Sequence, residues 1–243
     1  MTDLVRRFVD RWRGARLAPE PLAPETPASE SKASETPTTM RETFTRIVED
    51  NAWGDPESLS GPGSTVARTA AFLDSLVDLL ARFEIESLLD APCGDGNWIG
   101  PVVNAVEQYV GLDIVPELVA MSSKRHAGPG RRFVCADLTT DPLPRVDLVL
   151  CRDGLVHLAF ADIARALDNV RRSGARFLLT TTFVDHAAND DIVTGAWRPL
   201  NLELTPFEFP PPLASIDERC THTEGRYRDK RLALWELDAL PVA

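Results

Sequence analysis

The chain has 243 residues and a formal net charge of −11. That length suits one α/β domain plus extra segments, and so acidic a surface repels phosphate backbones and anionic lipid, which argues against general nucleic-acid or membrane binding and leaves open a local basic patch. No apolar run approaches the roughly eighteen residues of a membrane span, Met1 to Arg16 lacks the apolar stretch of a secretion signal, and the four cysteines (Cys93, Cys135, Cys151, Cys220) show no metal-type spacing and read as reduced thiols of a cytoplasmic protein.

Leu4 to Arg13 has the pattern of a short basic amphipathic helix. Ala18 to Thr39 is a Pro, Ala, Glu, Ser and Thr tract with almost no large apolar residues. It cannot bury enough surface to offset ordering, so residues 1–39 read as a disordered tail and the folded part is expected over 40–243. A helix is expected over Met40 to Asp50, then a loop from Asn51 to Thr65. A long helix follows from Val66 to Phe83, capped by Ser64 or Thr65, with Val66, Ala70, Leu73, Leu76, Val77, Leu80 and Phe83 at helical spacing.

From there strands and helices alternate. Strands are expected over Ser87 to Ala91, Tyr109 to Ile114, Arg132 to Asp137, Val146 to Cys151 and Arg176 to Thr182. Helices are expected over Asn97 to Glu107, Pro116 to His126 and Asp162 to Arg172, the last with an Ile163, Ala166, Leu167, Val170 stripe closed by Gly174. Such alternation implies a doubly wound, Rossmann-like, mostly parallel sheet, which binds ligands at the carboxyl ends of its strands. Val184 to Thr223 carries Pro199, Pro206, Pro210, Pro211 and Pro212 among large apolar residues, and reads as an ordered, irregular cover over the substrate side. Arg231 to Leu237 reads as a last strand.

The most informative stretch is Leu88-Leu89-Asp90-Ala91-Pro92-Cys93-Gly94-Asp95-Gly96, an apolar strand entering a turn of small residues. Gly94 and Gly96 let a ligand lie against the backbone. Asp113 follows at the end of the second strand, where a carboxylate can hold ribose hydroxyls. The third glycine of a nicotinamide-type turn is absent, since that position is Ile99, and no Gly-Lys-Ser or Gly-Lys-Thr of a phosphate loop occurs.

From about Trp53 to Leu237 the chain resembles the class I S-adenosylmethionine-dependent methyltransferases, in particular a bacterial subgroup acting on small molecules or glycans. The carriers are the turn above, Asp113, Ala136-Asp137-Leu138, the Cys151-Arg152-Asp153-Gly154-Leu155-Val156-His157-Leu158 stretch, and Trp197 to Leu202. The resemblance implies that fold with an antiparallel C-terminal strand, and S-adenosylmethionine as cofactor. It implies a cofactor site of Asp90, Pro92, Cys93, Gly94, Gly96, Trp98, Asp113, Ile114, Asp137, Leu138, Cys151 and Arg152. Within it Asp90 would fix the loop, Asp113 would take the ribose, Asp137 the adenine amino group, Leu138 would lie beside the ring, and Cys151 and Arg152 would border the sulfonium. Pro92 departs from the glycine usual at that point and stiffens the start of the turn.

Asp153 and His157 lie four apart and would share a face if that segment were helical. Either serves as general base for an acceptor hydroxyl, or Asp153 caps a helix while His157 packs. Trp53, His186, Trp197, Arg198 and Asn201 are candidate acceptor contacts, with core packing the ordinary role of a tryptophan. No metal is expected, although Asp153, Asn189 and Asp190 resemble the ligand set of metal-dependent O-methyltransferases and read equally well as a turn. The Asn/Asp-Pro-Pro-Tyr signature of base methylation is missing. The chain therefore reads as an O-methyltransferase acting on a small hydroxylated molecule such as a sugar or glycan unit, with room for a homodimer. The alternatives are a binding protein that keeps the fold without catalysis, and a methyltransferase acting on protein or RNA, the latter supported only by the Arg-rich N-terminal segment.

Overall fold

The computed structural model describes residues 39–220 and 225–241. The expected N-terminal amphipathic helix and the tail, up to residue 38, lie outside the described residues.

The first element, α1 (Met40–Glu49), is opened by a capping box. The Thr39 side chain accepts from the Glu42 N–H, and the Glu42 carboxylate accepts from the Thr39 N–H. Next comes α2 (Val66–Arg82). Neither Ser64 nor Thr65 caps it with a side chain; the Glu57 carboxylate reaches back and accepts from the Val66 N–H at 2.7 Å. Its buried face is Thr69, Phe72, Leu76, Leu79 and Leu80; of the expected stripe Leu76 and Leu80 are buried, Leu73 and Phe83 pack partly buried against the same core, and Val66 is 55% exposed.

The remaining elements are β1 (Ser87–Asp90), α3 (Gly100–Ala105), β2 (Gln108–Asp113), α4 (Pro116–His126), β3 (Arg131–Cys135), β4 (Leu148–Cys151), α5 (Phe160–Arg172), β5 (Phe177–Phe183), β6 (Ala214–Asp217) and β7 (Lys230–Glu236). They form a seven-stranded sheet of order β3-β2-β1-β4-β5-β7-β6. The pairs among β1 to β5 are parallel; β7 runs antiparallel to both β5 and β6. This is the expected doubly wound sheet with its antiparallel C-terminal strand. Helix α3 is shorter than expected, since the glycine turn continues through Asn97 and the helix opens only at Gly100-Pro101.

Successive strand residues face opposite layers. Leu88, Leu148 and Leu150 join a core with Phe72 of α2 and Val102 of α3; Leu89 and Val149 join another with Ile163 and Val170 of α5. The 184–223 segment, of which residues 184–220 are described, contributes to the core and to the sheet. Leu200, Leu202, Phe207 and Phe209 pack into the α5-side core, and Ala214–Asp217 becomes edge strand β6. Its prolines still forbid regular structure over most of its length.

Candidate active site

The switch in strand order lies between β1 and β4, and a cleft opens at the carboxyl ends there, as expected for such sheets. It holds about 1040 Å³ counting its open mouth, at the top of the range for small-molecule sites. Of the residues singled out in the sequence, Trp53, Asp90, Pro92, Cys93, Gly94, Trp98, Asp113, Ile114, Asp137, Leu138, Arg152, Asp153 and His157 line it.

The glycine turn presents its backbone to this cleft. Gly94 has φ +58°, and a Cβ there would sit 2.1 Å from Ser60 Oγ. The Ser60 hydroxyl accepts from the Asp95 N–H at 2.9 Å, which pins the upstream loop over the turn. Asp113 accepts from the Gly94 N–H at 3.0 Å and the Val115 N–H at 2.9 Å. Burial raises its carboxyl to about 6 despite those bonds. Asp90 does not tie down the loop: it accepts a 2.6 Å bond from the Tyr109 hydroxyl, and burial lifts it to about 7. Asp137 accepts from the Thr139 N–H and hydroxyl, both at 2.7 Å.

Asp153 and His157 are not on an α-helix. Asp153 has φ +54°, and a single 3₁₀ turn, Leu155–His157, follows. Lys230 on β7 donates to Asp153 at 2.6 Å and lies 3.1 Å from Glu218, while Arg152 donates to Glu218 at 2.7 Å and sits 3.3 Å from Asp153. Burial favours the neutral acid, but Lys230 and then Arg152 outweigh it and hold Asp153 well below the usual carboxylate range. A carboxylate so strongly ionised is a weak proton acceptor near neutral pH. His157 Nδ1 lies 2.9 Å from the Ala196 carbonyl, and its ring centroid is 5.3 Å from that of Trp53. Burial holds its pKa below the ordinary histidine value.

Several expected site residues lie outside the cleft. Arg198 donates to the Leu155 carbonyl at 3.0 Å and the Leu158 carbonyl at 2.6 Å, bracing the His157 turn from behind. Asn201 donates to the Val184 and His186 carbonyls. Trp197 packs on Phe183 and Tyr227, and His186 borders a separate open hollow with Tyr227 and Asp229. The Gly96 carbonyl is taken by His126. The Cys151 thiol is buried and pushed up to about 12. Asn189 donates its amide to the Asn201 and Thr205 carbonyls, and its Oδ1, the atom that could hold a metal, accepts from the Asn201 N–H at 2.8 Å; Asp190 is exposed, and among the described residues no three His, Cys, Asp or Glu are arranged to hold a metal ion.

Sequence reasoning missed Met40, Phe44, Ser60 and Asp95, which line the cleft. Met40, Phe44 and Val48 recur at helical spacing on α1, a signal that was available; nothing in the sequence links that face to this cleft. It also missed Glu218 and Lys230, whose partners are 66 and 77 positions away.

Residues 88–174 match the family model of a methyltransferase domain. No curated protein matches the sequence. Among solved structures, the chain is similar to an S-adenosylmethionine-dependent methyltransferase from Clostridium acetobutylicum, with 16% identity, 48% of this chain and 52% of that one covered, and a TM-score of 0.42. It is also similar to magnesium protoporphyrin IX methyltransferase from Synechocystis with bound S-adenosylhomocysteine (19%, 58% and 69%, 0.45). A third is an amino pentose methyltransferase from Micromonospora echinaspora (23%, 44% and 48%, 0.40). The chain spans about half the length of the first and third of these. The matched segment runs from β1 to just past the end of α5, on a sheet of this strand order whose glycine turn faces a carboxylate at the end of β2, and it supports the class I S-adenosylmethionine-dependent methyltransferases as the family this segment is similar to.

Proposed function

We propose that residues 40–243 form one cytoplasmic methyltransferase domain that methylates the oxygen of a small hydroxylated acceptor, with a sugar or glycan unit as the favoured class and His157 as general base. The observation that carries this reading is the hydrogen bond at His157. A carbonyl only accepts, so Nδ1 holds the ring proton and donates it to Ala196, and Nε2 keeps its lone pair. Burial keeps the ring neutral near pH 7, the form that can accept a proton.

The cleft suits the cofactor. The backbone at Cys93 and Gly94 borders the cleft and would take the methionine portion, Asp113 the ribose hydroxyls and Asp137 the adenine amino group, beside Ile114 and Leu138. When bound, S-adenosylmethionine supplies a methyl group on a positively charged sulfur. His157 Nε2 takes the acceptor's hydroxyl proton as the oxygen becomes nucleophilic. Asp153, ionised and half-buried, accepts a hydrogen bond from a second acceptor hydroxyl. Met40, Phe44 and Trp53 cover an apolar face of the acceptor and exclude water, and holding it in line supplies much of the rate.

His157→Ala and His157→Asn, assayed against a panel of sugars and phenols, test this. Turnover should fall by about 10²–10⁴-fold, with cofactor affinity by calorimetry changed less than about threefold. Equal losses of turnover and cofactor affinity, with a lowered melting temperature, would instead assign His157 to packing.

A further inference from the structure

Residues 190–198 form a strap along the turn that carries His157, in a stretch between β5 and β6 that holds neither helix nor strand. The Gly195 N–H donates to the His157 carbonyl at 2.9 Å, and the Arg198 N–H donates to the Val156 carbonyl at 3.2 Å. Between these two bonds the Ala196 carbonyl meets His157 Nδ1 at 2.9 Å. No sheet ladder fixes the strap, so its position along the turn decides whether that carbonyl reaches the ring.

The Arg198 side chain ties the two together. The residue is 7% exposed, and carbonyls take all three guanidinium nitrogens: Nη1 donates to Leu155 at 3.0 Å, Nη2 to Leu158 at 2.6 Å and Nε to Asp190 at 3.2 Å. Leu155 and Leu158 bracket His157 in the turn, and Asp190 begins the strap, so one planar fork joins both. Burying a cation against carbonyls rather than in an ion pair is costly. An apolar side chain would fill the space without that cost, but would leave three carbonyls without this donor. The charge also lies near the ring. The charged groups acting on His157 are Asp153 ahead of the turn, Arg198 on the strap and Lys230 on β7, while α1 and the loop after it contribute the rings of Phe44 and Trp53. Burial is the main cause that holds the ring below the ordinary histidine value; the Ala196 carbonyl and Asp153 oppose it, and Arg198 and Lys230 add to it.

We infer that Arg198 is a positioning residue for His157, its fork locking the strap where the Ala196 carbonyl meets Nδ1 and the lone pair stays on Nε2. The catalytic consequence rests on the assignment of His157 as base; the state of the ring is readable without it.

Nuclear magnetic resonance of the full chain with isotope-labelled histidine tests this, the His157 signals being identified by their loss in His157→Asn. The wild-type ring should be protonated at Nδ1 and titrate below the ordinary histidine range. In Arg198→Met the Nε2-protonated tautomer should appear, and the midpoint should rise by about 0.5 pH unit or more as the cation is lost. Arg198→Lys keeps the charge but not the fork, so its midpoint should stay within about 0.3 unit of the wild type while its tautomer mixture lies between the two. Turnover in the sugar and phenol panel should fall about tenfold or more in Arg198→Met and recover in part in Arg198→Lys, with affinity for S-adenosylhomocysteine changed less than about threefold. A wild-type tautomer and midpoint in folded Arg198→Met would overturn the inference. So would a wild-type tautomer in Arg198→Lys, the deciding variant if Arg198→Met does not fold. If the ring responds as expected but His157→Asn keeps its turnover, the base assignment falls and the positioning of the ring stands.

Discussion

Protonation of Asp113 should weaken cofactor binding in acid. This carboxylate is 4% exposed and is raised to about 6 by burial, against backbone N–H bonds from Val115 and Gly94 that favour ionisation. If ribose hydroxyls donate to it, the ligand binds the ionised form, and the apparent Kd scales as the intrinsic value times one plus the ratio of protonated to ionised Asp113. With a pKa of about 6 that factor is close to one at pH 7.5, about two at pH 6 and about eleven at pH 5. Calorimetric titration with S-adenosylhomocysteine across that range reads it directly. Asp113→Asn should bind more weakly at pH 7.5 and show no such slope. Asp90 titrates nearby, at about 7, so Asp90→Asn serves as the control that keeps the slope. An affinity flat from pH 7.5 to pH 5 in the wild type, or a slope that survives in Asp113→Asn, would refute the assignment of Asp113 to the ribose.

Four further outcomes are expected. Gly94→Ala combines φ +58° with a Cβ 2.1 Å from Ser60 Oγ, so it should cost about 1–3 kcal/mol in chemical denaturation and weaken the cofactor further. Lys230→Met leaves Asp153 and Glu218 buried with Arg152 as their remaining cation and should cost about 3–5 kcal/mol by the same measurement. Asp90 and Asp113 are both raised above their unfolded value of 3.8, so the folded chain binds protons that the unfolded chain releases. Their contribution to stability is fully present below about pH 4 and is lost as pH rises through about 6 to 7; urea midpoints measured between pH 5 and 8 should fall less in Asp90→Asn than in the wild type. The pH–rate profile should lose activity on its acid side below the ordinary histidine range, as His157 protonates, and that limb should vanish in His157→Asn.

The strand-end residues that line the cleft were legible because their placement is local. The glycine turn follows one strand directly, and Asp113 and Asp137 sit at or just past the ends of the next two, so chain order alone places them at one edge of a parallel sheet. The placing of the segment after β5 was not. Trp197, Arg198 and His186 looked like substrate contacts because they are polar or aromatic after β5, but none of them lines the cleft, and Arg198 spends its donors on the carbonyls at Leu155 and Leu158. The two base candidates differ in the same way: spacing offered His157 with Asp153 behind it, and only the tertiary structure gives Asp153 the Lys230 ammonium and His157 the Ala196 carbonyl.

The sequence by itself determined the alternation of strands and helices, the doubly wound sheet and the carboxylates at its strand ends, since apolar periodicity and turn residues act over a few neighbouring positions. Only the tertiary structure decided that α1 brings Met40 and Phe44 to the cleft, that β6 joins the sheet edge, and that Arg152, Asp153, Glu218 and Lys230 meet in one buried network. Those contacts join residues far apart in the chain, and their strength comes from mutual burial, which leaves no periodic trace in the amino-acid order.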